Sequence, residues 1–90
     1  MFKLEKSLII TQDKGIHFRS LLKLKEICES CKVDVVLYKE STNKSANLTN
    51  GLDVLLLCTV KNDEVLFIIK GDSAEHTQEA YRQLYAAIGA

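Results

Sequence analysis

Residues 15–31 read GIHFRSLLKLKEICESC, a stretch that joins a loop to an amphipathic helix. After Phe18 the apolar residues recur every three or four positions, which is the spacing of one helical face. The residues at that spacing are Leu21, Leu24, Ile27, Cys28 and Cys31. Lysines and glutamates occupy the positions between them. We therefore predict a helix from Phe18 to Cys31 that packs one face against a core.

Outside this helix, four segments have the residues of β-strands. They are the alternating residues 2–10, the β-branched run 33–38, the short run 44–48 and the strongly apolar run 64–69. Alternation, or an enrichment in β-branched residues between turn signals, is typical of strands. Residues 52–57 predict either a short helix or an apolar crossing segment.

The end of the chain predicts a second long helix. Asp72 and Glu75 have the spacing of a capping box at its start, and the helix should continue to about Ile88. The residues expected to face inward are Thr77, Ala80, Tyr81, Leu84 and Ile88. The resulting order predicts an α+β open-faced sandwich, with a four-stranded antiparallel sheet covered on one face by two long helices and one short helix. Residues 1–90 are expected to form a single domain.

The composition disfavours several functional classes. The chain of 90 residues has 12 basic and 12 acidic side chains, a balance that does not favour nucleic-acid or membrane-surface binding. A core of this size leaves no room for a deep substrate cavity, which favours a carrier or binding module over an enzyme. The N-terminal residues lack the pattern of a signal peptide, and the longest apolar run is too short to span a membrane. We expect a cytoplasmic monomer.

The junction at residues 15–20 has the residues of an anion site. The first turn of a helix has amide groups without internal partners and lies at the positive end of the helix dipole. Arg19 adds a cation whose donors suit phosphate oxygens, and Gly15 allows a ligand to approach the backbone closely. His17, with an ordinary pKa of ~6.5, is a good nucleophile and leaving group near neutral pH. The alternative is an exposed histidine without a role.

The sequence Gly-Ile-His-Phe-Arg at residues 15–19 resembles the active-centre signature Gly-Leu/Ile-His-x-Arg-Pro-Ala of HPr, the histidine phosphocarrier of the bacterial phosphotransferase system. The order of elements and Lys-Ser-Ala at residues 44–46 are similar to that family as well. The resemblance implies that His17 accepts a phosphoryl group from Enzyme I, with Arg19 beside it, and passes it to sugar-specific, IIA-type or regulatory acceptors. It implies no cofactor and no metal. The residues implied to support phosphate binding are Gly15, Phe18 and Ser20.

Several residues depart from the signature. Ser20 stands where the family has Pro, and the family's regulatory serine corresponds to Asn50, which has no hydroxyl. The apolar docking pair is Gly51 and Leu52, a smaller surface, while Phe18 enlarges the other side of the docking region. Two interpretations follow: a divergent phosphocarrier, or an HPr-like regulatory binding module that carries no phosphate.

Cys28 and Cys31 form a Cys-x-x-Cys pair, which leaves a thiol or metal protein as a third interpretation. Redox pairs of this kind lie at a helix N-terminus, where the dipole lowers the thiol pKa, whereas this pair falls near a predicted helix end. A zinc site needs two further ligands. The remaining candidates are Cys58, His76 and His17, with no second pair at motif spacing. We therefore favour reduced cysteines that pack as small hydrophobic residues.

Overall fold

The computed structural model describes residues 1–11, 13, 15–16, 18–57 and 59–88. Its elements are β1 (Phe2–Ile9), α1 (Phe18–Cys31), β2 (Val33–Lys39), β3 (Lys44–Asn47), α2 (Gly51–Leu56), β4 (Glu64–Gly71) and α3 (Ala74–Ile88). The order predicted from the sequence is confirmed. For residues 52–57 the sequence predicted either a short helix or an apolar crossing segment. In the structure they form most of the short helix α2 and its C-cap, Leu57.

The strands form one antiparallel sheet in the order β1-β4-β2-β3. β4 lies between β1 and β2, so that Gly71 is aligned with Phe2 on one side and with Val33 on the other. β3 pairs with β2 alone. β4, the last strand in the sequence, therefore lies inside the sheet, and β1 and β3 are the edge strands.

The core lies between one face of the sheet and the helices. On β4 the buried residues are Val65, Phe67 and Ile69, while Leu66 and Ile68 between them are only half-buried. The helices complete the core with Leu21, Leu24, Ile27 and Cys31 of α1 and Thr77, Ala80, Leu84 and Ile88 of α3. This is the predicted open-faced sandwich, whose second face is left to solvent. In the described part of the chain, no helix has the length and apolar character needed to cross a membrane.

The start of α3 differs from the predicted capping box by one residue. The Ser73 hydroxyl accepts the His76 amide at 3.1 Å, and the Ser73 carbonyl accepts the Thr77 amide at 3.2 Å. Ser73 is therefore the cap, and the assignment of that role to Asp72 is wrong. Serine and aspartate cap helices about equally well, so local preference does not choose between them. Because Gly71 still belongs to β4, Asp72 serves as the connection between strand and cap.

A buried cation ties three segments together at one end of the sheet. The Lys39 side chain, on a residue only 8% exposed, donates to the Leu57 carbonyl at 3.1 Å and lies 3.2 Å from the Asp63 carboxylate. Asp63 also accepts the Val60 amide at 2.8 Å. A buried charge is tolerated when it is paired and hydrogen-bonded. These contacts fix the end of β2, the end of α2 and the turn before β4 relative to one another.

We expect Asp63→Asn to lower the free energy of unfolding by about 1–3 kcal/mol near neutral pH, because the Lys39 charge loses its counterion. The Val60 amide, and then Lys39, hold the pKa of Asp63 below its ordinary value of 3.8. A carboxylate whose pKa falls on folding stabilises the native state above its unfolded pKa, and that stabilisation is lost as the pH falls through the folded value. The difference between the two chains in urea unfolding should therefore shrink below about pH 3.8.

Asp13→Asn is the matched control. Asp13 pairs with Lys61 at 3.1 Å, but the two side chains are 90% and 52% exposed. Removing an exposed pair of this kind should change the unfolding free energy by less than about 0.5 kcal/mol. Equal losses in the two variants, or a loss in Asp63→Asn that does not depend on pH, would contradict the structural role given to the Lys39 cluster.

Candidate functional site

A close backbone approach fixes Gly15 and Ile16, which precede α1 in the sequence. Gly15 has φ of +65°, in the left-handed region that glycine adopts without strain. The next amide, that of Ile16, donates to the Thr59 carbonyl at 3.3 Å. A Cβ atom added to Gly15 would lie 2.1 Å from that same carbonyl oxygen. Only glycine fits here without a backbone movement.

Further backbone bonds hold the start of the same loop. The Ile10 amide donates to the Asp63 carbonyl at 2.9 Å, and the Asn62 amide donates to the Ile10 carbonyl at 2.8 Å. The Thr11 amide donates to the carbonyl of Ile88, at the end of α3, at 3.1 Å. Ile10 and Thr11 are thus held by the turn before β4 and by the last helix.

The first turn of α1 is a positively charged helix end. It begins with Phe18, Arg19 and Ser20; the first two side chains are exposed and Ser20 is half-buried. The turn contains no acidic residue, so no carboxylate of that turn offsets the positive end of the helix dipole. The guanidinium of Arg19 adds a permanent charge with five donors. This end of the helix can therefore attract an anion and hydrogen-bond to it.

The structure describes four of the predicted site residues: Gly15 before α1, and Phe18, Arg19 and Ser20 in the first turn of α1. His17, the residue on which the predicted chemistry depends, lies outside the described residues, as does Cys58. By sequence, His17 immediately precedes the first residue of α1. Its predicted role stays a prediction.

The other two predicted residues, Asn50 and Leu52, lie at the start of α2. The Asn50 side chain accepts a hydrogen bond from the Asp53 amide at 3.2 Å, so Asn50 is the N-cap of α2. Its side chain has no hydroxyl. A Cβ atom added to Gly51 would lie 2.8 Å from Cδ2 of Leu21. The start of α2 therefore packs against Leu21, in the first turn of α1.

Each of these two helices carries two exposed apolar side chains. They are Phe18, Leu22, Leu52 and Leu56, which are 65%, 53%, 67% and 65% exposed. We call these four residues the docking patch. On each helix the two members are four residues apart and so lie on the same face. Of these four, the sequence had indicated Phe18 and Leu52, with Gly51 as the second member of the pair on α2. Leu22 could have been found because it lies off the buried stripe of α1, and Leu56 because it repeats Leu52 after one turn.

The cysteine pair lies at the end of α1 and has no reactive thiol. Burial is the main cause that raises the pKa of Cys28 to about 12, and the neighbouring Cys31 and Asp34 add to it. Burial likewise raises the pKa of Cys31. Both thiols are therefore protonated at neutral pH, the opposite of what a thiolate nucleophile or metal ligand requires. Among the described residues, no group of three or more histidine, cysteine or acidic side chains could hold a metal ion.

Comparison with known proteins agrees with the resemblance seen in the sequence. Residues 4–88 match the family model for the PTS HPr component phosphorylation site. The histidine-containing phosphocarrier protein of Mycoplasma is similar in structure, with a TM-score of 0.77, 19% sequence identity and coverage of 96% of this chain and 98% of that one. The phosphocarrier protein HPr of Bacillus anthracis strain Ames gives 0.79, 17% and 96% of each chain. At these identities the structures show the fold. No curated protein matches the chain by sequence.

We expect Gly15→Ala to lower the free energy of unfolding by on the order of 1–3 kcal/mol, since it places a side chain at positive φ and against a backbone carbonyl. Gly51→Ala is the control, because the atom that its Cβ meets is the end of the flexible Leu21 side chain. Alanine also favours a helix over glycine by up to about 1 kcal/mol, which offsets that contact. Urea unfolding of the two variants measures the contrast. Equal destabilisation would show that the Thr59 contact does not constrain the loop.

Proposed function

We propose that this chain, which belongs to the PTS-HPr family, is a phosphocarrier that accepts a phosphoryl group on His17 and passes it to an acceptor protein. The observation that supports this most directly is the loop held at Gly15, which leads through residue 17 into a helix end without acidic residues. A phosphoryl group on residue 17 would be adjacent along the chain to first-turn amides and to Arg19. That setting is suited to a group of charge about −2.

The proposed reaction needs only groups that the chain and its donor supply. An imidazole nitrogen of His17 attacks phosphorus, so that a P–N bond forms while the bond between phosphorus and the donor breaks. The reverse exchange then delivers the group to the acceptor. Arg19 and the amides of the first turn would donate to the phosphoryl oxygens, whose charge they stabilise from fixed positions. Ser20, in the same turn, carries a further hydroxyl donor.

The docking patch supports binding of a protein partner beside residue 17. Its four apolar side chains are flanked on α1 by the exposed cations Arg19 and Lys23. A partner with an apolar surface bordered by carboxylates complements this arrangement. We propose Enzyme I of the phosphotransferase system as the donor, IIA-type domains as acceptors, and the cytoplasm as the place where they meet. Residues 1–90 would act as one domain in these complexes.

The size of the docking patch also favours a second candidate, a regulatory module that binds its partner and carries no phosphate. Leu22 and Leu56 extend the apolar surface beyond the residues nearest position 17, and their exposure does not depend on any phosphoryl group. This candidate predicts association with a partner without transfer. The thiol interpretation gains no support, because both thiols are protonated.

We expect His17→Ala to abolish labelling by Enzyme I and labelled phosphoenolpyruvate, because the substitution removes the accepting nitrogen. The matched control is His76→Ala, which removes the other histidine of the chain from an exposed position in the first turn of α3. It should accept phosphate at the natural rate. Circular dichroism checks that both variants remain folded. If the natural chain binds Enzyme I without becoming labelled, the regulatory module becomes the better description.

We expect ATP-dependent HPr kinase to leave residue 50 of the natural chain unmodified, since Asn50 has no hydroxyl. Asn50→Ser supplies one and retains a side chain that caps α2, so this variant should become labelled at that residue. Asn50→Ala should remain unlabelled and lose about 0.5–2 kcal/mol of stability with the cap. Mass spectrometry of the peptides locates the label. A phosphate on Thr49 of the natural chain would show that the regulatory switch is present at a neighbouring position.

A further inference from the structure

The sheet face turned away from the helices has an apolar centre. Across β4 and β2, Ile68 is aligned with Val36 and Leu66 with Tyr38, and all four side chains are half-buried. Ile9, at the end of β1, is 49% exposed. We call these five residues the open face. A sheet with one solvated face ordinarily places polar residues there, so an apolar centre marks a surface for interaction.

The outward residues of β4 form a self-complementary series. They are Glu64, Leu66, Ile68 and Lys70: an acid at one end, two apolar residues in the middle and a base at the other end. Two copies of β4 facing each other in opposite directions would place Glu64 opposite Lys70 of the partner subunit. The same arrangement would place Leu66 opposite Ile68 of the partner subunit. Both kinds of contact are favourable, and each occurs twice.

Of the neighbouring strands, β1 has the same polarity in its end rows, whereas β2 opposes it. β1 aligns Lys3 with Lys70 at the basic end and Ile9 with Glu64 at the acidic end. Asp34 of β2 lies beside Lys70, which leaves two lysines and one carboxylate in that row. The end rows of β1 and β4 therefore differ in charge, with Lys3 and Lys70 at one end and Glu64 at the other, while Glu5 of β1 lies in the row of Ile68. The charge complementarity of antiparallel stacking thus rests on Glu64 and Lys70 of β4.

The dimensions of the face indicate how strong such an association is. The strands β1, β2, β3 and β4 have 8, 7, 4 and 8 residues. At a spacing of about 4.8 Å and a rise of about 3.3 Å per residue they cover about 430 Å². Two copies would bury roughly 860 Å², somewhat less than the ~1,000 Å² expected of a stable specific interface. The contact should therefore be weak and reversible.

We propose that the open face binds a second copy of this chain in an isologous dimer, with the two-fold axis in the interface plane and perpendicular to the strands. The helices lie on the other side of the sheet, so the dimer leaves both docking patches free and facing away from each other. The monomer expected from the sequence is then the form present at low concentration. This inference is independent of phosphoryl transfer, and His17→Ala should dimerise like the natural chain.

Sedimentation equilibrium of the natural chain, from about 10 µM to about 1 mM, should show a dimer with a dissociation constant on the order of 100 µM. Glu64→Lys and Lys70→Glu each place like charges opposite each other twice per dimer, and each should weaken association at least about tenfold. The double variant Glu64→Lys/Lys70→Glu restores opposite charges and should return the constant to within about threefold of the natural value. Glu26→Lys, an equal charge change at an exposed position of α1, should have no effect.

The double variant controls for unfolding, because restored association would show that the chain still folds with both substitutions present. A natural chain that stays monomeric over the whole range would overturn the proposal. A dimer that Glu64→Lys and Lys70→Glu leave unchanged would also overturn it. If Leu52→Asp then abolished that dimer, the contact would lie on the docking patch. If Ser7→Pro abolished it, the contact would lie at the free edge of β1.

Discussion

A buried ammonium group determines how the loops at one end of the sheet are arranged. Lys39 is nearly enclosed, and a charge removed from water without partners would cost several kcal/mol. Its acceptors, the Leu57 carbonyl and the Asp63 carboxylate, come from the two ends of the segment that joins α2 to β4. Leu57 and Asp63 therefore have fixed positions relative to the sheet. Thr59 lies between them in the sequence, and Gly15 lies against its carbonyl, so the cation on β2 holds the two residues that flank this contact partner.

The two sides of the molecule have different chemistry because the helices cover only one face of the sheet. On the helical side, a positively charged helix end adjoins an apolar surface, a combination that suits an anion delivered by another protein. On the other side, charges of opposite sign lie at the two ends of an apolar centre. A protein this small has little interior to devote to a site. Its chemistry is therefore carried by helix ends and exposed faces, with a buried framework that holds them in position.

The regular parts of the fold could be predicted from sequence because their periodicity is local. The bounds of α1, Phe18–Cys31, agree with the apolar stripe that indicated them. The cap of α3 could not be chosen, because Asp72 and Ser73 have similar capping preference and the outcome depends on how far β4 pairs. The candidate site could be predicted from its sequence motif, but the backbone contacts that hold it could not. Gly15 meets Thr59, which is far from it along the chain, and no local pattern reports such a contact.

The central position of β4 also governs the order in which the fold can be completed during synthesis. β1 and β2 do not pair with each other; each pairs with β4, which leaves the ribosome after both. At about 5–20 residues per second, β1 waits on the order of several seconds for its partner strand. Until then the available contacts are those among α1, β2, β3 and α2, such as the β2–β3 hairpin and the packing of α2 against α1. The nascent chain must keep its apolar stripes from associating elsewhere over this interval, and the sheet then closes through contacts between distant parts of the sequence, the kind that form slowly.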